Sequence, residues 1–164
     1  MKQQKYNLED EFMEIIRQNE TTIYKICSFY VTPTIPIDDL YQESVLSLWK
    51  GFPKFRHESS FTTWIWRVTL NSCLSVIRTE KKHKQNISLS QAHAASIATE
   101  NMQQEIKQLY DIINKLNPFD RALILLWLDE KSYKEIAEVT GISVANVATK
   151  LKRIKIQLNT FANQ

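Results

Sequence analysis

Apolar residues recur every three or four positions through most of the chain, a spacing that predicts helices rather than strands. Such stretches cover residues 8–30, 38–51 and 61–84. Two prolines, Pro33 and Pro36, break the pattern between the first two stretches, and Gly51 with Pro53 ends the second. Either Ser59 or Ser60 is placed to cap the third helix. The first half of the chain is therefore predicted to be a small helical domain.

The helical spacing of apolar residues stops after residue 84 and resumes near Glu100. Residues 85–98 are small and polar and have no sustained periodicity, which is typical of a linker. Beyond it, Asn117 precedes Pro118 as a helix cap precedes the first helical position. The sequence thus predicts an all-α protein in which two small helical domains, residues 1–84 and 100–164, are joined by a flexible linker at 85–99.

Residues 132–158 have the spacing of a helix-turn-helix. Ser132 and Glu135 fit a capping box, Gly141 suits the left-handed residue that ends a helix, and Ser143 is placed to cap the next helix. Two capped helices around one tight glycine turn are typical of this DNA-binding motif. We therefore expect residues 100–164 to form a four-helix, helix-turn-helix domain without a wing.

The last helix is amphipathic. A helical wheel places one stripe inward, and its members are Val144, Val147, Leu151, Ile154 and Leu158. The outward residues near its start are short or hydrogen-bonding, as the major groove requires, and later ones are long cations suited to phosphates. The surface predicted to bind duplex DNA comprises Ser143, Ala145, Asn146, Thr149, Lys150, Lys152 and Arg153.

Charge is distributed in blocks, although the net charge is only +3. Residues 51–84 hold seven Lys or Arg against two acids, and residues 143–164 hold four cations and no acid. The two remaining blocks, 1–50 and 85–142, are each net negative. Two separated basic segments indicate two contacts with a polyanion.

The first basic block interleaves aromatic residues with cations. Rings stack on unpaired bases and cations hold phosphates, so this composition favours single-stranded nucleic acid. Trp64, Val68, Leu74 and Ile77 are expected to be buried, whereas Trp66 has no such assignment from periodicity. The residues predicted to bind nucleic acid here are Lys54, Arg56, His57, Phe61, Trp66, Arg67, Asn71, Arg78, Lys81 and Lys82.

Composition and residue spacing exclude several other classes of protein. Two cysteines, Cys27 and Cys73, are too few for a disulfide framework and lack metal-ligand spacing. The three histidines have no nucleophile nearby in the sequence, so we expect no enzyme, no cofactor and no metal. No apolar run is long enough to cross a bilayer. With no signal peptide at the N-terminus, a reducing cytoplasm is the expected compartment.

Taken in order, the segments DDLYQESVLSLWK, FRHESSFTTWIWRVTLN, LNPFDRALILLWL and SYKEIAEVTGISVANVATKLKRI resemble bacterial RNA polymerase sigma factors. The resemblance is to the extracytoplasmic-function (ECF) group, which keeps only regions two and four. It covers nearly the whole chain, from about Glu11 to Leu158. Two separate motifs in the right order make it specific.

The resemblance implies a role for each surface. The helix at 38–49 would dock on the beta-prime clamp helices of core RNA polymerase through Asp38, Asp39, Gln42, Glu43 and Trp49. Residues 54–84 would melt and read the −10 element of promoter DNA, and the last helix would read the −35 element. A contact of the second domain with the polymerase beta flap and an inhibitory anti-sigma factor are also implied.

One alternative is a stand-alone helix-turn-helix regulator whose first domain serves dimerisation or sensing. Such a protein would bind duplex DNA without polymerase and would not need the acidic helix. A nucleic-acid enzyme is a second alternative, disfavoured because no catalytic cluster is recognisable.

Overall fold

The computed structural model describes residues 2–85 and 104–164, and the side chains of 7–83 and 104–164. In this part of the chain there are seven α-helices and no strand longer than an isolated bridge. These helices form two compact units, within Met1–Ala92 and within His93–Gln164. The all-α, two-part architecture expected from the periodicity is therefore confirmed. The expected linker at 85–99 lies outside the described residues, apart from Gln85.

Three long helices make the first unit: α1 (Lys2–Ser28), α2 (Ile37–Gly51) and α3 (Phe61–Gln85), with a short 3-10 turn at Phe52–Lys54. All three helices pack against one another. The side chains of Ile23, Ile26, Leu40, Leu48 and Ile65 are fully buried between them. Buried apolar residues from all three helices therefore form one apolar centre.

The connection before α2 is a tight loop anchored on α3. Thr32 and Ile35 exchange backbone hydrogen bonds across the turn, and Pro36 is the N-cap residue of α2. Glu80 of α3 accepts hydrogen bonds from the hydroxyl groups of Thr32, at 3.2 Å, and Thr34. This anchoring fixes where α2 begins, and the acids of its first turn lie at the positive end of the helix dipole.

Four helices make the second unit: α4 (Gln104–Asn114), α5 (Pro118–Leu128), α6 (Tyr133–Thr140) and α7 (Val144–Ala162). As expected, Asn117 caps α5, because its side chain accepts from the backbone N–H of Asp120 at 2.9 Å. Helix α5 is central: residues 122–126 are all buried. A helix buried on most sides serves as the scaffold on which α6 and α7 are positioned.

None of the helices in residues 2–85 and 104–164 is both long and apolar enough to cross a membrane.

Candidate nucleic-acid interface

The turn between α6 and α7 has the geometry that the sequence predicts. Ser132 accepts from the backbone N–H of Glu135, and the Glu135 carboxylate accepts in return from the N–H of Ser132. These hydrogen bonds lower the pKa of Glu135 below its ordinary value. Gly141 has a φ of 76°, and Ser143 accepts from the N–H of Asn146. Two local caps and a left-handed glycine thus fix the angle at which α7 leaves the turn.

The inner stripe of α7 begins one turn later than predicted. Val147, Leu151 and Ile154 are fully buried, whereas Val144 is 48% exposed and Leu158 is half-buried. The prediction for Val144 is wrong because a helical wheel does not show where the neighbouring helices stop. Its side chain instead joins the exposed residues at the start of α7, which are Ser143, Ala145 and Asn146.

Three of the four cations on α7 contact α5. The Lys150 Nζ lies 5.7 Å from the ring centroid of Phe119, and the Lys155 Nζ lies 3.9 Å from that of Trp127. Arg153 forms an ion pair with Asp120. Lys152 and Thr149 are exposed. The cations on this helix therefore differ in whether their side chains contact α5, a distinction that the sequence does not reveal.

In the first unit, the loop before α3 carries a cluster of rings. Phe55 lies 4.7 Å from both His57 and Phe61 and 5.0 Å from Trp64, centroid to centroid. Trp64 is buried, Phe61 is half-buried and His57 is exposed. His57 also has a φ of 57°, which is uncommon for a residue other than glycine. The cluster therefore presents an exposed imidazole ring beside aromatic rings that are half-buried or buried.

Trp66 does not belong to this exposed group. Its side chain is 1% exposed, and Lys25 of α1 lies 5.5 Å from its ring. The ring faces α1, so it is not available to stack on a base, and the prediction that it binds nucleic acid is corrected. Of the stripe expected to be buried, Trp64 and Ile77 are in the core and Val68 and Leu74 are half-buried.

The other candidate residues of this block lie at the surface. Arg67 is half-buried on α3. Asn71, Arg78 and Lys82 share one face of α3, because their spacing of seven and four returns to the same side of a helix. The exposed members are Lys54, Arg56, Asn71, Arg78, Lys81 and Lys82. Lys54 and Arg56 belong to the aromatic loop, whereas the other four lie along α3.

The acidic residues of α2 are exposed and lie beside an apolar groove. Asp38, Asp39, Gln42 and Glu43 all face solvent. The groove lies between α1 and α2, and it is lined by Phe12, Met13, Tyr41, Val45, Leu46 and Trp49. Trp49 packs edge-on against Phe12, with 4.9 Å between the centroids. An acidic edge beside an apolar groove suits a protein partner and repels nucleic acid.

Cys27 and Cys73 are free thiols in the centre of the first unit. The Cys73 thiol donates to the Cys27 Sγ at 3.9 Å. That hydrogen bond lowers the pKa of Cys27 and, together with burial, raises the pKa of Cys73. No group of three or more metal-ligating side chains occurs among the described residues. Both cysteines are fully buried, and their contact is part of the packing of α1 against α3.

A capped helix-turn-helix with a basic second helix, joined in one chain to a separate helical unit, is typical of DNA-binding proteins. Two family models match this chain: Sigma-70 region 2 over residues 15–83 and Sigma-70, region 4 over residues 106–158. The chain therefore belongs to the sigma-70 family, in its ECF group of RNA polymerase sigma factors.

Curated relatives carry the same designation. The chain is 28% identical to RNA polymerase sigma factor YlaC of Bacillus subtilis, over 73% of each protein. It is 23% identical to the ECF RNA polymerase sigma factor SigW of the same organism, over 93% of this chain and 89% of the relative.

Solved structures agree on the fold. The sigma factor RpoE of Bartonella quintana, crystallised with the anti-sigma factor NepR, matches with a TM-score of 0.76 and 15% identity, over 96% of this chain and 97% of that one. CnrH, in complex with the cytosolic domain of CnrY, matches with a TM-score of 0.67 and 18% identity, over 94% and 89% of the two chains.

Proposed function

We propose that this chain binds core RNA polymerase and directs transcription from particular promoters, with the first unit at the −10 element and the second at the −35 element. One observation carries the proposal: matches to regions 2 and 4 of sigma-70 occur in order on one chain, each over a segment with a basic surface. The relatives named RNA polymerase sigma factors support the same assignment.

The start of α7 is the proposed reader of duplex DNA. Its exposed residues are short, so the backbone approaches the base edges, and Asn146 is placed to hydrogen-bond to a base. Val144 adds an apolar contact of the kind that recognises a thymine methyl group. Lys152 and Arg153, further along the helix, are assigned to phosphates.

The aromatic loop and the basic face of α3 are the proposed binding site for the melted strand. Extruding a base costs a few kcal/mol, and stacking on an aromatic side chain returns roughly 1–3 kcal/mol per base. Capture of one or two bases therefore biases a DNA opening that the polymerase completes. His57 and Phe61 are the rings assigned to this role, with Lys54 and Arg56 on the phosphates.

The acidic edge of α2 and its groove are proposed to dock on the beta-prime clamp helices. Asp38, Asp39, Gln42 and Glu43 would meet cations of the partner, and Trp49 in the groove would anchor the contact, because aromatic side chains dominate interface energetics. The second unit is assigned to the beta flap. Since the neighbours RpoE and CnrH were solved with NepR and with CnrY, an anti-sigma partner is part of the proposal.

No chemical step is assigned to any residue of this chain, and the cytoplasm is the proposed compartment. Joining the two units in one chain raises the affinity for a promoter that both units contact. Once one unit is bound, binding of the other becomes intramolecular, so two weak contacts combine into a tight one when the polymerase sets their spacing.

The test is transcription in vitro by core polymerase, with and without this chain, from a library of promoters randomised at the −35 and −10 elements. Addition of the chain should enrich a defined pair of elements at a fixed spacing among the transcripts. Failure to bind core polymerase, or transcripts with no enriched elements, would contradict the proposal.

The stand-alone regulator makes the opposite prediction in the same experiment. It would bind the enriched duplex tightly without polymerase. A sigma factor should bind that duplex weakly alone and tightly only in the holoenzyme.

A further inference from the structure

The carboxylate of Asp120 is buried at the start of α5, where nothing in the proposed function uses it. The residue is 5% exposed, and its Oδ2 accepts a hydrogen bond from the Asn117 amide at 2.7 Å. A buried carboxylate needs such partners, because removing a charge from water is costly. The same oxygen lies 3.8 Å from Nη2 of Arg153 on α7. This carboxylate therefore joins the scaffold helix to the helix assigned to duplex DNA.

The distance between the Asp120 carboxylate and the Arg153 guanidinium determines which kind of interaction joins them. At 3.8 Å the pair attracts electrostatically, but the distance exceeds that of a hydrogen bond. The guanidinium therefore keeps its fork of N–H donors for another acceptor while it lies next to the carboxylate. Its side chain is 65% exposed, against 7% for that of Asp120, so one partner is fixed inside and the other reaches solvent.

Position on the helix directs the guanidinium toward the proposed interface. Asn146, Lys150 and Arg153 follow one another at spacings of four and three, so they share one flank of α7. Lys150 contacts Phe119, the neighbour of Asp120. The first turn of α5 thus contacts two cations on the flank that also carries Asn146.

We propose that Asp120 is a positioning residue for duplex recognition: its buried carboxylate holds the Arg153 guanidinium in place at the DNA-facing flank of α7 without occupying its donors. The inference rests on the proposed function, since it assumes that α7 binds the −35 element. Pre-ordering of a long side chain raises affinity because less rotamer entropy is lost on binding. The opposite possibility, that Asp120 competes with phosphate for Arg153, predicts the reverse effect of its removal.

The experiment uses holoenzyme assembled from core polymerase and the full chain, with a promoter duplex selected by the wild-type protein. Binding is measured for Asp120→Asn, Arg153→Gln and the double variant. Asp111→Asn is the matched control, because Asp111 is an exposed acid on α4 in the same unit. We expect Asp120→Asn to weaken binding about three- to tenfold, and Asp111→Asn to leave it unchanged. The double variant should bind no more weakly than Arg153→Gln.

Arg153→Lys covers the case in which Asp120→Asn disturbs the cap of α5. This variant leaves α5 intact and keeps the charge but loses the planar fork, so it should weaken binding without changing the dependence on salt. Thermal unfolding of each variant measures its folded fraction, and the measured affinities are corrected for that fraction.

Equal binding by Asp120→Asn and Asp111→Asn, tighter binding by Asp120→Asn, additive losses in the double variant or wild-type binding by Arg153→Lys would each overturn this inference alone. A wild-type holoenzyme that selects no promoter would overturn the proposed function as well.

Discussion

The ammonium group of Lys155 lies 3.9 Å from the ring centroid of Trp127, which packs it against α5. Trp127 is 38% exposed, so the cation covers a ring that would otherwise face water. Lys152, three residues earlier, is exposed. Two lysines on one helix therefore have different roles: one supports the fold, and the other is available for phosphates.

This difference predicts opposite phenotypes. Lys155→Ala should lower the stability of the second unit by about 0.5–1 kcal/mol and leave the salt dependence of promoter binding unchanged. Lys152→Ala should leave stability unchanged and reduce the slope of log K against log salt by about 0.9. Thermal unfolding and holoenzyme–promoter titrations at several salt concentrations measure both. A reduced slope in Lys155→Ala alone would reverse the assignment.

The acidic edge of α2 gives a second prediction. Asp39 and Glu43 are four residues apart on one helix, and like charges at this spacing destabilise it by roughly 0.2–0.5 kcal/mol. A variant that carries both Asp39→Asn and Glu43→Gln removes this repulsion and keeps the shape of the side chains. It should stay within about 1 kcal/mol of wild-type stability, because the relieved repulsion is offset by the loss of the Asp39 charge at the positive end of the α2 dipole. It should bind core polymerase roughly tenfold more weakly, because the complementary charges are lost.

The control for this variant is Glu11→Gln with Glu20→Gln, which removes two exposed acids from α1 instead. It loses the same net charge and should retain wild-type affinity for core polymerase in a fluorescence titration. Equal losses in the two double variants would mean that net charge, rather than the α2 edge, governs binding.

Burial of Trp66 gives a third prediction. Trp66→Ala should cost about 3–5 kcal/mol of stability, as large-to-small changes in a core do. Trp66→Phe should cost less, since the indole N–H that it removes has no hydrogen-bond partner within the described segments. Promoter melting by the folded Trp66→Phe protein should match wild type when followed by permanganate reactivity of unpaired thymines.

His57→Ala is the companion variant, because His57 is the exposed ring of the same segment. It should retain stability and reduce promoter melting by about 1–3 kcal/mol, the usual value of one stacked base. Normal melting in His57→Ala combined with defective melting in Trp66→Phe would contradict both assignments.

The capping box of α6 gives a prediction about pH. The pKa of Glu135 is lowered in the folded chain by its hydrogen bonds to Ser132. Its carboxylate therefore stabilises the fold above the unfolded pKa of about 4.3, and this contribution is lost as pH falls through the folded pKa. Because the carboxylate reaches solvent, screening keeps the effect small.

Glu135→Gln should accordingly be less stable than wild type at pH 7 and indistinguishable from it near pH 3. Ser132→Ala, which removes the N-cap oxygen instead, should cost about 1 kcal/mol at neutral pH. Urea unfolding followed through NMR signals of α6 isolates this unit from the other. A Glu135→Gln deficit that persists at pH 3 would mean that the carboxylate's charge is not the cause.

Local features were predictable from the sequence because they depend on residues close together in the chain. The caps at Asn117, Ser132 and Ser143 and the left-handed Gly141 are all present, since a cap bonds to an N–H only three residues away. Helix periodicity also predicted the three helices of the first unit. The core residues of α7 followed from the same pattern, apart from Val144 in its first turn and Leu158, which is half-buried.

Predictions that needed a neighbour from elsewhere in the chain were less successful. Trp66 was assigned to nucleic acid because its sequence neighbours are aromatic and basic, but the packing of α3 against α1 turns its ring inward. Val144 was assigned to the core because the wheel treats the helix as covered along its whole length. In both cases the outcome depends on whether another helix covers the side chain.

The sequence by itself therefore determined the helices, their caps, the order of the two helical units and the family. These features depend on short-range hydrogen bonds and apolar periodicity, which involve residues close together in the chain. Only the tertiary structure decided which aromatic rings face solvent and which cations are held against α5. Those properties depend on distances between segments that lie far apart in the chain, such as those of Asp120 and Arg153, and folding alone brings such segments together.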